Sequence, residues 1–398
     1  MKKKVLIVST YSQGGAGKAA NRLYLSLIER DNCLFDFEWM DIDQLNSKNK
    51  SLKFKFIKYF KRKIRKSIGY DTTGYEIFSD EFGEIDFLLK NYDIVHLHWI
   101  SGLVNYKTFF RNVKSPIIWT LHDLNPLQGG FHYRNDVMNS VGKKIQKLDK
   151  HIFKSKKSIL SKSNIYAIVS PSKWINDISQ ESEMFSKKKH LIIPNGLDTN
   201  IFTPHDKILA RALFKLDKNK FTIMFSSENV SNERKGFDLL LNALNKIDFE
   251  CQVLIIGFVK NELIEKIDKS NIKLIFSGKI EDDIKMAMAY SSADVFIIPS
   301  REDNLPNVLL ESFSCGTPVI SFDIGGMKDF IIPFFNGLVV QGLDSNKLSF
   351  ALVEFDKNRS IYQENRTKIH EFARDNFSLE ILSKNYIELY KSCINQNI

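Results

Sequence analysis

Cysteine is scarce in this chain, with four in 398 residues at positions 33, 251, 315 and 393 and no CxxC pair. That spacing excludes a disulfide scaffold and a cysteine-built zinc site, and it suits a reducing compartment. Long apolar runs are missing too: no segment approaches the ~18 residues that a membrane span requires. The start, Met1-Lys-Lys-Lys, has the charge of an export signal, but the apolar run Val5–Val8 ends at Ser9 and is too short for one. The expectation is a soluble, cytoplasmic protein. Low-complexity tracts and short-period repeats are also absent. What the chain does contain is ordinary globular material, 43% hydrophobic and 26% charged, which excludes disordered and collagenous classes. Its length exceeds what one core fills and fits two α/β domains of roughly 200 residues each. Lys and Arg number 57 against 47 Asp and Glu, a net charge of +10. Some face should therefore attract phosphates, nucleic acid or an anionic membrane.

Short apolar runs alternate with helix-period stretches along nearly the whole length. Val5–Val8, Phe35–Met40, Ile94–Leu97, Ile117–Leu121, Ala167–Val169 and Leu191–Ile193 read as strands in the first half. Phe221–Phe225, Val253–Ile256, Leu274–Phe276, Val295–Ile298 and Val319–Phe322 read so in the second. Helical periodicity appears at Ala20–Leu27, Phe237–Leu244, Ile284–Ser291 and Val308–Ser314. Strands buried on both faces and separated by helices indicate parallel sheets, and two such sets imply two doubly wound domains. The seam falls near Pro194–Pro204, a stretch without periodicity that contains the turn signal Asn195-Gly196. Ligands of such domains bind beyond the carboxyl ends of the strands, so functional residues should follow strands directly.

Several candidates do. Ser12-Gln-Gly-Gly-Ala-Gly-Lys18 follows the first strand, but Ser12 replaces the first glycine of a P-loop and Ala19 its hydroxyl residue. A nucleotide hydrolase is therefore not expected. Gly14 and Gly15 still let the backbone approach an anion where the first helix begins. His96 and His98 share a strand-end face without an evident third metal ligand, so no metal is assigned to them. His122-Asp123 closes another strand, where a histidine beside a carboxylate can orient a hydroxyl or move a proton. Asp41-Ile-Asp43 has a DxD spacing but closes the second strand, where a surface turn is expected. Arg234-Lys235-Gly236 offers two fixed cations suited to a diphosphate. The densest segment is Pro299–Ile320: a polar loop carries Asp303, a helix opens near Pro306, and Glu311 lies just over one turn into it. Free N–H groups around Asn304, Leu305 and Asn307 can cradle phosphate or sugar oxygens. Cys315 reads as a small packed hydrophobe.

Together these pieces resemble the nucleotide-sugar glycosyltransferases of family 4, with the GT-B fold. The resemblance runs through the glycine loop, His122-Asp123, Ile193-Pro-Asn-Gly-Leu-Asp-Thr-Asn-Ile-Phe202, Arg234-Lys-Gly236, and Asp303 through Glu311 to Cys-Gly-Thr-Pro318. Trp119–Tyr133 and Ser300–Asn307 look like the colanic-acid-type exopolysaccharide and capsule branch. The family usually has Glu where Asp303 stands. The resemblance implies two Rossmann-like doubly wound domains facing each other across a cleft. Residues 1–203 would serve the acceptor and 204–375 the donor, with a helix at 376–398 returning to the N-terminal domain. It implies a retaining transfer from a UDP- or GDP-sugar to a saccharide acceptor, lipid-linked, with no metal or other cofactor. His122, Arg234, Lys235 and Asp303 would be catalytic. Gly14, Gly15, Asn304, Leu305, Pro306, Asn307 and Glu311 would hold the donor, and His98, Asp123 and His132 would face the acceptor. A nucleotide-sugar epimerase, a phosphorylase or an inactive nucleotide-sugar-binding scaffold would share the fold.

The charge is concentrated in Lys53–Lys66, with eight Lys or Arg in fourteen residues and no acid. Phe56, Ile57, Phe60 and Ile64 recur at near-helical spacing. Such a segment, with Lys58, Lys61, Arg62 and Lys63 at lipid headgroups, would seat the enzyme peripherally on the inner face of the cytoplasmic membrane. No basic stripe interleaved with aromatics on a known module is evident, so no nucleic-acid partner is expected.

Overall fold

The computed structural model describes residues 2–30, 34–44, 91–134, 143–259 and 271–396. The basic segment with Lys58, Lys61, Arg62 and Lys63 lies outside them. The chain divides into two compact units, 1–194 together with 382–398, and 195–381. Among the described residues no helix is long and apolar enough to cross a membrane.

In the first unit β1 (Lys3–Val8), β2 (Phe35–Met40), β3 (Ile94–Leu97), β4 (Ile117–Thr120), β5 (Ile165–Ser170) and β6 (Lys189–Ile192) form one parallel sheet in the order β2-β1-β3-β4-β5-β6. The order reverses between β1 and β3, where α1 (Gly14–Glu29) takes the chain across to β2. Crevices at such reversals, beyond the carboxyl ends of strands, are where ligands of open α/β sheets bind. β3 and β4 are wholly buried, so their runs read as uninterrupted apolar stretches apart from His96 and Thr120.

The second unit repeats the architecture. It starts with α2 (Lys207–Leu213), and its sheet holds β7 (Phe221–Asn229), β8 (Cys251–Phe258), β9 (Ile272–Gly278), β10 (Val295–Ile298), β11 (Val319–Phe322) and β12 (Gly337–Val340). The order is β12-β11-β10-β7-β8-β9, the 3-2-1-4-5-6 pattern of dinucleotide-binding sheets reckoned from β7. Period-two alternation explains why both faces are apolar. Phe221, Ile223 and Phe225 pack with Val253 and Val295 on one side. Met224, Leu254 and Phe296 pack with Tyr290 and Leu309 on the other. Residues 195–203 sit with this unit because Leu197 N–H bonds to Phe377 O at 2.9 Å and Phe202 is buried in its core.

The amino end of β10 is pinned by Asp294, whose carboxylate accepts from Lys207 Nζ at 2.5 Å, Arg211 at 2.8 Å and Thr222 N at 2.7 Å. Burial alone would raise its pKa, but Lys207 and Arg211 outweigh that and hold it below the usual carboxylate value. Asp294→Ala removes the carboxylate from buried Arg211, which keeps Ser292 O and Lys218 O, and from the partly exposed Lys207, and is expected to destabilise this unit by about 2–4 kcal/mol. A carboxyl whose folded pKa is depressed contributes stability above its unfolded pKa and loses it in acid. The gap in melting temperature between wild type and Asp294→Asn should therefore narrow as pH falls below about 4. A gap unchanged between pH 6 and pH 3 would show that Asp294 is not held ionised.

Candidate active site

At the strand-order reversal of the second unit, the loops after β7 and β10 meet. The β7 loop ends in a 3-10 turn, Glu233–Lys235, whose first turn is capped by the Asn232 side chain accepting from Arg234 N at 3.1 Å. Gly236 closes the turn at φ +69, and a Cβ there would lie 1.8 Å from Pro299 O at the end of β10. The two loops are latched again by Arg301. Its N–H donates to Arg234 O at 2.7 Å, and its guanidinium grips the Asp238 carboxylate in bidentate fashion at 2.7 and 2.5 Å.

This scaffold aims three side chains at one point. Lys235 Nζ lies 2.6 Å and Arg234 Nη1 3.4 Å from Asp303 Oδ2, and Arg234 also donates to Glu302 O at 2.8 Å. Ser300 Oγ reaches the same carboxylate at 3.4 Å. Burial works to raise the Asp303 pKa, but Lys235 and Arg234 outweigh it and hold the carboxyl below its usual range. Burial lowers the Lys235 ammonium, with Asp303 opposing and Arg234 adding to the shift, and the balance lies below the usual lysine value. Two cations facing one carboxylate leave a surplus positive charge at the carboxyl end of the sheet. A phosphate entering there would draw the cations toward itself and release Asp303 to accept from a hydroxyl.

The segment after Asp303 is fixed by its neighbours. Gly326 N–H bonds to Asn304 O at 2.8 Å, and a Cβ on Gly325 would meet Asp303 O at 1.9 Å. Pro306 caps the helix Asn307–Ser314. Asn195, from the Pro-Asn-Gly stretch, donates to Leu305 O and Asn307 Oδ1, each at 3.4 Å. Glu311 is buried on that helix and accepts from Tyr290 OH at 3.1 Å.

In the first unit the carboxyl ends of β1, β3 and β4 carry a polar cluster of different character. Gly14 (φ +75) and Gly15 are exposed at the start of α1 with open space where a Cβ would stand, whereas a Cβ on Gly17 would meet Tyr11 O at 2.6 Å. Gly17 is the glycine that close packing demands. His122 stands 2.9 Å from His98 through Nε2 and Nδ1. Burial lowers the His122 pKa to about 4, against a small opposing effect of Asp123, and drives His98 well below its usual value. The Asp123 carboxylate is also hydrogen-bonded to other groups. Its Oδ2 accepts from His132 Nδ1 at 2.5 Å and Trp99 Nε1 at 2.8 Å, and its Oδ1 from Asn125 N at 2.9 Å. Asp123, His132 and Trp99 are thus joined by hydrogen bonds.

Arg234, Lys235 and Asp303 are therefore gathered at one point, followed along the chain by Asn304, Leu305, Pro306, Asn307 and Glu311. Gly14, Gly15, His98, His122, Asp123 and His132 belong to the other unit. Tyr290, Arg301 and Gly325, which support the cluster, carry no sequence signal of their own. Asp41-Ile-Asp43 turns the chain after β2, with Asp43 exposed but Asp41 inside. Asp41 is buried and accepts from Trp39 Nε1 at 2.9 Å, Asp43 N at 3.1 Å and Gln44 N at 3.0 Å. Among the described residues no group of three or more His, Cys, Asp or Glu is placed to hold a metal ion.

Residues 220–358 match the family model described as glycosyl transferases group 1. A Klebsiella pneumoniae protein described as an uncharacterized 41.2 kDa protein in the cps region is 26% identical over 210 residues, 52% of this chain and 56% of that protein. A D-inositol 3-phosphate glycosyltransferase of Arthrobacter is 25% identical over 268 residues, 63% of this chain and 59% of that one. The chain thus spans a little over half the length of these curated relatives. Among solved structures, sucrose-phosphate synthase from Thermosynechococcus elongatus matches with a TM-score of 0.71 at 18% identity, covering 99% of this chain and 100% of that one. Anabaena HepE in complex with UDP-glucose matches at 0.67 and 16% identity, covering 98% and 99%. The second unit thus carries a glycosyl transferases group 1 domain, and the two parallel sheets have the GT-B fold of these solved structures.

Proposed function

We propose that the protein transfers a sugar from a UDP- or GDP-sugar to a saccharide acceptor, lipid-linked, in the synthesis of a bacterial exopolysaccharide, capsule or other cell-surface glycan. The observation that carries this reading is the Lys235–Arg234–Asp303 cluster at the strand-order reversal of the second unit. There a diphosphate would find two cations, and a sugar hydroxyl would find a carboxylate within the same few ångströms. Lys235 and Arg234 stabilise the departing diphosphate, Asp303 fixes the sugar, and Glu311 binds the ribose diol. Asn304, Leu305, Pro306 and Asn307 line the donor, and Gly14 and Gly15 approach its phosphates. The first unit serves the acceptor, with His122 against the reacting sugars. Transfer proceeds with retention: the acceptor oxygen bonds to the anomeric carbon from the face that the diphosphate leaves. The basic segment around Lys58, Lys61, Arg62 and Lys63 holds the enzyme at an anionic membrane surface. The HepE complex with UDP-glucose supports a nucleotide-sugar donor, and the cps-region relative supports a role in surface glycans.

A panel of UDP- and GDP-sugars read by thermal shift tests the reading. A true donor at about 100 times its Kd is expected to add about 2.7 kcal/mol of stability, and to do so equally in EDTA. Glu311→Gln keeps the size of the side chain and a hydrogen-bond acceptor but removes the charge that grips the diol. It is expected to lose most of that stabilisation and about 10²-fold in turnover, by analogy with the loss of one charge-assisted contact in a closed site. Absence of any nucleotide-sugar stabilisation would reduce the protein to a scaffold. Interconversion of the donor without transfer would make it an epimerase.

A further inference from the structure

His122 and His98 meet edge to edge. Their ring centroids are 5.2 Å apart and their planes 23° from parallel, while His98 Nδ1 and His122 Nε2 approach to 2.9 Å. Nearly coplanar rings at that separation form an N–H···N hydrogen bond, so one of the two nitrogens carries a proton and the other does not. The remaining nitrogen of His98 weighs on which. His98 Nε2 is buried and has no hydrogen-bond partner among the described residues. A proton there would leave a donor orphaned in a dry environment, whereas a bare lone pair costs less. The imbalance favours the Nδ1–H form of His98 by about tenfold or more. Burial keeps both rings neutral near pH 7, so neither escapes the choice by taking a second proton.

His98 itself has little freedom to rearrange. Its backbone N–H bonds to Val8 O at 2.9 Å and its carbonyl accepts from Trp119 Nε1 at 3.0 Å. One side of its ring lies against His96, centroid to centroid 4.3 Å. His96 is held in turn by Tyr390 OH at 2.7 Å and Thr120 Oγ1 at 2.8 Å, and Thr120 by Tyr386 OH at 2.8 Å.

We propose that His98 is a positioning residue: its Nδ1–H donates to His122 Nε2 and fixes His122 as the Nδ1–H tautomer, so that His122 meets substrate as a hydrogen-bond donor and not as a general base. The inference rests on the reading that places His122 against the reacting sugars. The acceptor's proton must then leave by a route other than His122.

Long-range proton–nitrogen correlation spectra of the full-length protein labelled with [15N]histidine test this at pH 7, with His122 assigned by the signals lost in His122→Gln. His122 should show the Nδ1–H pattern. His98→Phe keeps a ring but removes the donor, and should convert His122 to the Nε2–H pattern or a mixture. With the nucleotide sugar that the panel identifies, kcat should fall about tenfold and the donor KM hold within about twofold. His98→Asn puts an amide N–H near the Nδ1 position and should restore the Nδ1–H pattern and recover at least about half of the lost turnover. An Nε2–H pattern for His122 in the wild type, or an unchanged pattern in His98→Phe, overturns the proposal. A tautomer that switches in His98→Phe while kcat stays at the wild-type value leaves the hydrogen bond in place but removes His122 from the substrate.

Discussion

Replacing Lys235 by alanine is expected to cut turnover at saturating donor by about 10²–10³, the size of effect seen when one preorganised donor to a developing oxyanion is removed. The ammonium lies 2.6 Å from Asp303 in the free protein, and a diphosphate at that point would draw it off the carboxylate as charge builds on the leaving group. Stability should fall by less than activity. Asp303 would lose its nearer cation but keep Arg234 at 3.4 Å and Ser300 at 3.4 Å. The cost should therefore be about 1–3 kcal/mol, below the ~3–5 of a buried charge left with nothing. Combining Lys235→Ala with Asp303→Asn separates the two effects. Neutralising the stranded carboxylate should recover most of the melting temperature and none of the rate. Turnover in Lys235→Ala within threefold of wild type would remove Lys235 from the reaction.

Gly236→Ala is expected to be among the most damaging single-methyl changes in the second unit. An alanine at φ +69 carries about 1–2 kcal/mol of backbone strain. The larger penalty is steric, since the new Cβ would stand 1.8 Å from Pro299 O, a backbone atom that cannot swing aside. The turn bearing Arg234 and Lys235 must then lift away from the end of β10, and a loss of about 3–5 kcal/mol is expected, with turnover falling at least as far as in Lys235→Ala. Gly278 provides the control. Its φ is +67, yet an added Cβ would meet nothing within 4 Å. Gly278→Ala should cost only the backbone term, about 1–2 kcal/mol. Equal denaturation midpoints for the two variants would show that the Pro299 contact does not hold the loop.

Much of this fold could be read from the chain because its strands are buried on both faces. Runs such as Val295–Ile298 stand out when no polar residue interrupts them. β12 escaped notice: Gly337-Leu-Val-Val340 is short, begins with glycine, and follows the equally apolar Phe334 and Phe335. At the site, Arg234-Lys235 and Asp303 were each visible as loop residues after a strand. Their pairing was not, because they stand 68 residues apart, and only the placement of β10 beside β7, skipping β8 and β9, brings the loops together. The same limit hid Tyr290 behind Glu311 and Tyr390 behind His96, the latter pair 294 residues apart. Asp123 shows the same limit at short range. A carboxylate next to a histidine in sequence can point elsewhere along a strand end, and Asp123 reaches the histidine nine positions on.

The assignment of Leu382–Ile398 to the first unit has a consequence for how the protein is made. A ribosome delivers β1 to β6 early, but the tyrosines at 386 and 390 that close the hydrogen bonds of His96 and Thr120 arrive only after the whole of the second unit. Domains usually mature in the order of synthesis. Here the order inverts: the second unit is complete in sequence first, while the nascent first unit waits with a buried imidazole and hydroxyl short of partners. Ribosome-stalled chains ending before Leu382 should accordingly resist protease in the later-made unit and yield in the earlier one.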